Sequence, residues 1–268
     1  MPKINTRAEY DSIKDALNYS GAKELLYKSP KHYQAWLTKE PSESAALMIG
    51  TAVHAEVLQP DLSSQIYAVA PDCDRRTKDG KAIWEAFTQA NQGKVILNAE
   101  QGDLVTKVAN SCRILMLQNQ IKFVETETMY WEILKFDDGT SIKIKFAIDA
   151  IGEDGYIYDV KTTDDASPLA VKKTIFNYYY FLQAYFYYRG FWMLNPETPP
   201  KGFRFIFIEK SPPYAAAIYE VGPNFMALGQ EDFYKVCMLY KSCLKAGDWP
   251  GYPTEINFID FNPSSTQK

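Results

Sequence analysis

Three charged residues in the middle of the chain have the types and spacing needed to cut a phosphodiester. Asp149 closes a stretch of alternating residues, and Asp159 and Lys161 follow after a turn at Glu153-Asp154-Gly155. Two neighbouring carboxylates repel each other unless a cation lies between them, and hard oxygen ligands suit Mg²⁺ or Mn²⁺. A lysine beside them can hold or deprotonate a water and stabilise charge on a phosphate. The pattern indicates a metal-dependent hydrolytic site, with an exposed Asp159–Lys161 salt bridge as the alternative.

Period-two alternation predicts the two strands that would position these residues. The first strand covers 141–151 and places Asp149 on the face opposite its apolar residues, which are Ile142, Ile144, Phe146, Ile148 and Ala150. The second strand covers 156–162 and places Asp159 and Lys161 on one face, opposite Tyr158 and Val160. A hairpin of these strands should bring Asp149 near Asp159 and Lys161 and direct all three side chains to one side.

Two segments with helical patterns carry polar residues in apolar surroundings. The segment from Ala45 to Leu58 reads as a buried helix and contains His54, one of the two histidines. The segment 178–190 is rich in tyrosine and places Gln183 and Tyr187 four residues apart, on one helical face. Taken alone, His54 fits a hydrogen-bonded core histidine better than a metal ligand, and segment 178–190 fits an aromatic packing helix. Gln183 would be a buried amide that needs partners.

Taken in order along the chain, these residues resemble the motifs of the PD-(D/E)xK nuclease superfamily. The ordered set is Gly50-Thr51-x-x-His54, Asp149, Asp159-Val160-Lys161 and Gln183-x-x-x-Tyr187. Within the superfamily the chain resembles the RecE exonuclease VIII group and its phage-encoded relatives, with RecB-type nuclease domains and lambda exonuclease more distant. Two further stretches extend the likeness over roughly residues 10 to 250, namely Ser29-Pro30-x-x-Tyr33 and Arg76-Thr77-Lys78-x-Gly80-Lys81.

The resemblance implies a metal site and a role for the lysine. His54, Asp149, Asp159 and the backbone carbonyl of Val160 would hold the metal, which is expected to be Mg²⁺, with Mn²⁺ able to substitute. His54 would then be neutral, with one ring nitrogen free to coordinate. Lys161 would orient or activate the attacking water.

The resemblance also implies contacts with DNA. Gln183 and Tyr187 would support the metal site or contact the DNA backbone. Many relatives carry an arginine two residues before the first aspartate, where this chain has Ala147, and Lys143 or Lys145 could replace the lost phosphate contact. Further DNA contacts are expected from Arg75, Arg76, Lys78, Lys81, Thr162, Lys172 and Lys173. Solvated surface charge is the alternative for the two basic clusters among them.

The pattern of predicted elements and the resemblance agree on fold class. Both indicate an α/β fold with a central mixed sheet flanked by helices, which is a restriction-endonuclease-like core. We expect one nuclease domain over 1–268, with a helical N-terminal part at about 7–60 and a catalytic core at about 120–220. A C-terminal helix at about 224–246 and a loose tail would follow.

Family members digest double-stranded DNA from 5′ ends and leave 3′ single strands for an annealing recombinase in DNA recombination. They act processively as ring-shaped oligomers that hold DNA in a central hole. The resemblance therefore implies double-stranded DNA ends, a single-strand annealing recombinase and further copies of the chain as partners, in a bacterial or phage-infected cell.

Composition bounds the function and the compartment. A net charge of −4 and a pI near 5.4 are wrong for a protein that coats DNA nonspecifically, but a local basic channel remains compatible with them. The four cysteines, Cys73, Cys112, Cys237 and Cys243, are scattered, so free thiols and no iron–sulfur cluster are expected. The sequence has no long apolar run and no signal-peptide pattern, so a cytoplasmic location is expected.

Three alternatives to an exonuclease remain open. The first is a structure-specific or restriction-type endonuclease of the same superfamily, which would cut closed circular DNA. The second is a catalytically silent module that clamps DNA ends, against which the intact Asp149, Asp159 and Lys161 argue. The third is a metabolic α/β enzyme, but the sequence contains neither a Gly-x-x-x-x-Gly-Lys loop nor a Gly-x-Gly-x-x-Gly loop.

Overall fold

A computed structural model describes residues 3–39 and 44–258 of the chain. The strands in these residues are β1 (Lys3–Ile4), β2 (Ala16–Leu17), β3 (Tyr67–Val69), β4 (Val95–Leu97), β5 (Phe123–Lys135), β6 (Ser141–Gly152), β7 (Tyr156–Thr163), β8 (Gly202–Glu209) and β9 (Ala216–Glu220). The helices are α1 (Arg7–Ser12), α2 (Tyr19–Tyr27), α3 (Pro30–Leu37), α4 (Ala45–Leu58), α5 (Ser63–Ile66), α6 (Lys78–Ala90), α7 (Ala99–Gln118), α8 (Pro168–Asn177), α9 (Tyr180–Leu194) and α10 (Pro223–Ala246).

A mixed sheet of seven strands lies at the centre of the described residues. Its order is β1-β5-β6-β7-β8-β9, and the short strand β2 pairs with β6. Strand β6 is antiparallel to both of its neighbours β5 and β7, β7 and β8 run parallel, and β9 returns antiparallel to β8. Strands β3 and β4 form a separate parallel pair. The expected α/β fold with a central mixed sheet flanked by helices is confirmed.

Two apolar cores cover the two faces of the sheet. The first is built from β6, α9 and α10 and includes Phe146, Phe186 and Phe233, which are fully buried. The second is built from α4 and α7 against β7 and β8 and includes Val53 and Val160, also fully buried. Burying each such side chain contributes roughly 1.5–3 kcal/mol, so the helices that carry functional residues are firmly anchored.

The sheet opens between β6 and β7. These two strands pair at only two positions, Ala150 with Tyr158 and Ile151 with Ile157, next to the turn that Gly155 makes at a φ of +85°. Further from the turn β6 follows β5 and β7 follows β8, each as a long ladder. The backbone groups that face the opening need other partners.

The period-two alternation predicted for β6 is interrupted at Asp149. Ile142, Ile144, Phe146 and Ile148 all lie in the first core, as expected. Ala150, which was expected on the same face, lies in the second core. The interruption coincides with the opening between β6 and β7, since Ala150 is the residue at which pairing with β7 ends.

Several other elements agree with the sequence, and a few do not. The strands predicted at 141–151 and 156–162 are β6 and β7. The expectation of a helical N-terminal part is wrong at β2, because Ala16 and Leu17 pair with Lys143 and Ile144 before the Asn18 side chain caps α2. Strand β4 was not predicted, and residues 259–268 of the expected loose tail lie outside the described residues.

Among the helices in the described residues, none is both long enough and apolar enough to span a membrane.

Candidate active site

A cleft of about 760 Å³ opens where β6 and β7 part. Its walls come from α4, from β5 to β7, and from the start of α9. Gly50, His54, Glu127, Lys161 and Tyr180 are among the residues that line it. The cleft therefore contains candidate ligands, a cation and an aromatic ring in one solvent-accessible space.

Helix α4 carries His54 to the edge of the sheet. The Ser44 side chain caps the helix by accepting from the Leu47 amide, at 3.2 Å. The opposite face of α4 is held by α7, where Arg113 donates to Glu56 at 2.7 Å. These two contacts fix the position of α4, so Glu56 is a paired structural charge.

His54 is oriented by a hydrogen bond at one ring nitrogen. Its Nε2 lies 2.7 Å from the backbone oxygen of Val160, which can only accept, so Nε2 carries a hydrogen and donates it. Nδ1 then faces two carboxylates, at 3.6 Å from Asp149 and 3.7 Å from Glu127. The side chain is 28% exposed and lines the cleft, which distinguishes it from a histidine enclosed in a core.

The surrounding charges favour a protonated His54 when no cation is present. Burial lowers the pKa of His54, but the carboxylates of Asp149 and Glu127 outweigh burial and raise it to about 9. A cation bound through Nδ1 would have to displace the proton from that nitrogen. The neutral histidine that the resemblance implies would therefore be reached on cation binding.

Asp149 takes over a backbone contact that the sheet leaves open. Its Oδ2 accepts a hydrogen bond of 2.8 Å from the Val160 amide, in place of the missing ladder between β6 and β7. Burial raises the pKa of Asp149, while the positive charges of His54 and Lys161 oppose this rise. The carboxylate is thus held at the edge of the cleft, next to His54.

Asp159 is buried and engaged on the α9 side. Its side chain is 2% exposed, and its Oδ1 accepts a hydrogen bond of 2.6 Å from Gln183. Its Oδ2 pairs with the ammonium of Lys161, but no group donates a well-aligned hydrogen bond to that oxygen. Burial and the nearby charge of Asp149 raise the pKa of Asp159 to about 6.

Lys161 remains charged in these surroundings. Burial lowers the pKa of Lys161, but the carboxylates of Asp159 and Asp149 outweigh burial, and the net shift is upward. The ammonium also lies 5.0 Å from the centre of the Tyr180 ring. A protonated lysine can donate to a water or to a phosphate oxygen, but it cannot accept a proton.

A third carboxylate, Glu127, joins the site and was missed by the sequence analysis. His54, Glu127 and Asp149 each place one ligand atom within 4.8 Å of the others. One nitrogen and two carboxylate oxygens at these separations fit a divalent cation. This group differs from the set that the resemblance implies, because Glu127 takes part and Asp159 is turned toward Gln183 and Lys161.

Glu127 occupies a strained position in the middle of β5. Its φ is +49°, in the left-handed region that a non-glycine residue rarely adopts. Its neighbours Thr126 and Thr128 pair with Ala150 and Ile148, so Glu127 lies opposite Asp149. The signal in the sequence was positional, because counting outward from the turn at Asp138 places Glu127 across from Asp149.

The remaining predicted site residues are distributed over several places. Tyr187 packs in the first core near Tyr19, Phe146 and Phe203. Gln183 reaches the site through Asp159, as described, and Thr162 lines the cleft. The structure thus brings Gln183 and Thr162 to the site and places Tyr187 in the packing behind it.

The predicted basic residues lie outside the cleft. Arg75 stacks over the Trp84 ring at 4.3 Å, and Arg76 pairs with Asp74 at 3.0 Å in the same loop. Lys78 and Lys81 follow in the exposed first turn of α6, and Lys172 and Lys173 are exposed on α8. Neither group is among the residues that line the cleft.

The two lysines expected to compensate for Ala147 are engaged elsewhere. Lys143 pairs with Asp15 at 2.7 Å, and buried Lys145 donates to the backbone oxygen of Tyr10 at 2.7 Å. Arg7 of α1, however, lines the cleft together with Ala147. Arg7, which is far from Ala147 in the sequence, therefore shares the cleft with the position at which many relatives carry an arginine.

Comparisons with solved structures agree with the fold. A crystal structure described as "Putative exonuclease" from Eubacterium rectale matches with a TM-score of 0.60 and 14% identity, over 98% of each chain. At this identity the match shows the fold alone. A structure described as SSO0001 matches over 76% of this chain and 81% of its own, with 16% identity. Its TM-score of 0.29 is too low to indicate a shared fold.

A comparison with curated proteins finds no match. Residues 19–262, which are most of the chain, match a family described as "PDDEXK-like domain of unknown function (DUF3799)". The chain belongs to this family of PDDEXK-like domains.

Proposed function

We propose that this chain is a metal-dependent exodeoxyribonuclease that hydrolyses double-stranded DNA from an end. The observation that carries the proposal is the cleft in which His54, Glu127 and Asp149 converge next to the Asp159–Lys161 pair. Membership of a PDDEXK-like family and the fold shared with a protein described as "Putative exonuclease" support it.

The ligand chemistry favours a hard divalent cation, and we assign Mg²⁺ as the cofactor, with Mn²⁺ able to substitute. Nδ1 of His54 and one oxygen each of Glu127 and Asp149 would hold it. Such a cation polarises a phosphoryl oxygen and lowers the pKa of a bound water. Asp159 would remain paired with Lys161, next to these three ligands.

Lys161 would act as a donor in the reaction. Because its pKa is raised, the ammonium stays charged at neutral pH and can stabilise negative charge on the phosphate or orient the attacking water. The Asp159 carboxylate keeps this charge in place, and the hydrogen bond from Gln183 fixes Asp159 in turn. Substitution of Asp159 or of Gln183 would therefore disturb the same step as substitution of Lys161.

The finer proposals rest on the resemblance to the RecE group. In this proposal one nuclease domain digests DNA from 5′ to 3′ and processively, and leaves 3′ single-stranded tails for an annealing recombinase. A ring of identical copies would hold the DNA, so that the acidic exterior of each copy needs only a local basic lining.

The experiment uses linear duplex DNA that carries a label at the 5′ end or at the 3′ end of one strand. Cutting is compared with Mg²⁺ or with EDTA, on linear and on closed circular duplex. The variants are Asp159→Asn and Lys161→Ala, with Lys235→Ala, an exposed lysine on α10, as the matched control.

An exonuclease of the proposed polarity releases the 5′ label early, needs Mg²⁺, spares the circle, and loses activity by orders of magnitude in the two site variants. Cutting of the circle would identify an endonuclease of the same superfamily. Binding of DNA ends without cutting under any condition would identify a silent clamp and refute the proposed activity.

A further inference from the structure

Two stacked tyrosines border the cleft next to the catalytic lysine. Tyr180 lines the cleft, with its ring centre 5.0 Å from the Lys161 ammonium. Tyr178 stacks on Tyr180, with ring centres 5.7 Å apart and ring planes 24° apart. Tyr178 is 57% exposed. An aromatic surface therefore extends from the reacting groups out to solvent.

The backbone at the junction of α8 and α9 is arranged to present this pair. Tyr179 between them has a φ of +60°, a left-handed conformation that costs a non-glycine residue free energy. Its own ring turns inward and stacks on Tyr27, with ring centres 3.5 Å apart. The Tyr19 hydroxyl donates to the Tyr178 backbone oxygen at 2.8 Å. Tyr179 thus stacks on Tyr27, and Tyr180 packs against the buried Phe205, with ring centres 5.6 Å apart, as well as against Tyr178. Tyr178 is the exposed ring of the three.

Positive charge continues beyond the exposed ring. Tyr178 lines a second cavity of about 220 Å³ together with Lys23 and Lys28. Lys28 pairs with Glu24 at 2.8 Å, whereas Lys23 has no ion-pair partner in the described part of the chain. Lys23 and Tyr178 therefore border the same cavity, which places a positive charge beside the exposed ring.

Single-stranded nucleic acid is bound by aromatic faces that lie next to positive charge, and Lys23 supplies a positive charge next to Tyr178 here. Bases inside a duplex have both faces covered by neighbouring bases, so a side chain can stack only on the terminal pair of a duplex or on an unpaired base, and an unpaired base offers both of its faces. We propose that Tyr178 and Tyr180 are a stacking platform for unpaired bases of the DNA strand being cut, with Lys23 contacting the backbone of that strand.

This inference deepens the proposed function. A duplex end would have to fray before its strand entered the cleft, and the unpaired bases would then lie on the tyrosine pair while a phosphate reached Lys161. The substrate at the moment of cutting is accordingly a short single strand, even when the DNA supplied is double-stranded.

The test measures binding in EDTA, so that no DNA is cut. The probe is a short single-stranded oligonucleotide with a fluorescent adenine analogue near its end, and a blunt hairpin of the same sequence serves for comparison. The variants are Tyr178→Ala and Tyr178→Phe, and the control is Tyr234→Ala, a surface tyrosine on α10 that is 39% exposed.

Tyr178→Ala should weaken binding of the single strand about 10-fold, within the range measured for loss of one base stack. Stacking should quench the analogue, and Tyr178→Ala should remove the quenching. Tyr178→Phe keeps the ring and should bind as the unmodified protein does, and Tyr234→Ala should do the same. Lys23→Ala should reduce the slope of log Kd against log salt by about 0.7, the value for one phosphate on a single strand, whereas Tyr178→Ala should leave the slope unchanged.

The platform is refuted if Tyr178→Ala binds the single strand as tightly as the unmodified protein, or if the unmodified protein does not bind it. A change of oligomeric state in Tyr178→Ala, with unchanged DNA binding, would instead make the pair a contact between proteins. Failure of the platform alone leaves metal-dependent cutting of linear duplex intact, whereas failure of the proposed function leaves binding without cutting.

Discussion

The strained glutamate of β5 offers a prediction that separates stability from function. Glu127 has a φ of +49° and lies opposite Asp149, with its carboxylate 3.7 Å from His54 Nδ1. Substitution by glycine removes both the strain and the carboxylate. Substitution by alanine removes only the carboxylate and keeps a Cβ in the left-handed conformation. A comparison of the two variants therefore isolates the cost of the backbone conformation.

The magnitude follows from two opposing contributions. The left-handed conformation costs a residue with a Cβ about 1–2 kcal/mol, which glycine avoids. The greater freedom of glycine in the unfolded chain costs about 0.4–1 kcal/mol. Glu127→Gly should therefore be about 1 kcal/mol more stable than Glu127→Ala, which corresponds to a Tm higher by about 2–4 °C. Repulsion between Glu127 and Asp149 is lost in both variants and cancels.

The assay combines thermal unfolding in EDTA with calorimetric titration of Mn²⁺. Both variants should bind Mn²⁺ more than about 10-fold more weakly, since even residues that only support a metal ligand cost that much when replaced. The matched control is Gln120, which has a φ of +55° and does not line the cleft. Gln120→Gly and Gln120→Ala should show the same difference in Tm with unchanged affinity for Mn²⁺.

Equal stabilities of Glu127→Gly and Glu127→Ala, or a more stable alanine variant, would refute the argument from strain. Unchanged Mn²⁺ affinity in both would refute the assignment of Glu127 as a ligand, whatever the stabilities. The backbone strain at Glu127 and its role as a metal ligand are therefore tested independently.

Four other substitutions test the site and the packing behind it. A Cβ at Gly50 would meet no atom within 4 Å and would face the cleft, so Gly50→Ala should raise stability by about 0.5–1 kcal/mol and raise KM for DNA. A Cβ at Gly190 would lie 2.5 Å from Phe146, so Gly190→Ala should lower stability by about 1–3 kcal/mol, and both are read by thermal unfolding. Gln183→Leu leaves the buried Asp159 carboxylate without its hydrogen bond, so stability should fall by about 1–3 kcal/mol and cleavage should fall with it; an unchanged cleavage rate would show that Gln183 does not position Asp159. Each of Arg7 and Arg76 pairs with a neighbouring aspartate, but only Arg7 lines the cleft, so Arg7→Ala should raise KM for DNA more than Arg76→Ala does; the opposite order would indicate that the loop of Arg76 binds the DNA.

The elements that carry the site were largely predictable because local patterns determine them. Alternation specified β6 and β7 to within a residue, and the residues between the Asn98 cap and the end of the amphipathic pattern specified α7. The association of His54 with Asp149 came from the order of motifs and not from local pattern, since the two residues are far apart in sequence. In the structure, α4 packs on α7 in the second core, and His54 lies next to Asp149.

Other features depend on tertiary structure and left no local signal. The location of Arg76 and Lys81 outside the cleft depends on where α6 extends from the second core. Strand β4 has only three residues and forms because β3 pairs with it, so its pattern is too short to recognise. The stacking of Tyr178 on Tyr180 requires the left-handed Tyr179, which nothing in a run of tyrosines reveals.

The opening between β6 and β7 explains why Asp149 and Asp159 differ in their contacts. If the ladder continued beyond Ala150, the Val160 amide would be paired within the sheet and Asp149 would have no backbone partner there. Because the strands part, the Asp149 carboxylate accepts from that amide, and the Val160 carbonyl is free to accept from His54. Asp159, on the adjoining strand, is instead enclosed by Gln183 and Lys161. Period-two alternation does not distinguish the two aspartates. Where the strands separate, Asp149 lies next to His54, whereas Asp159 pairs with Lys161.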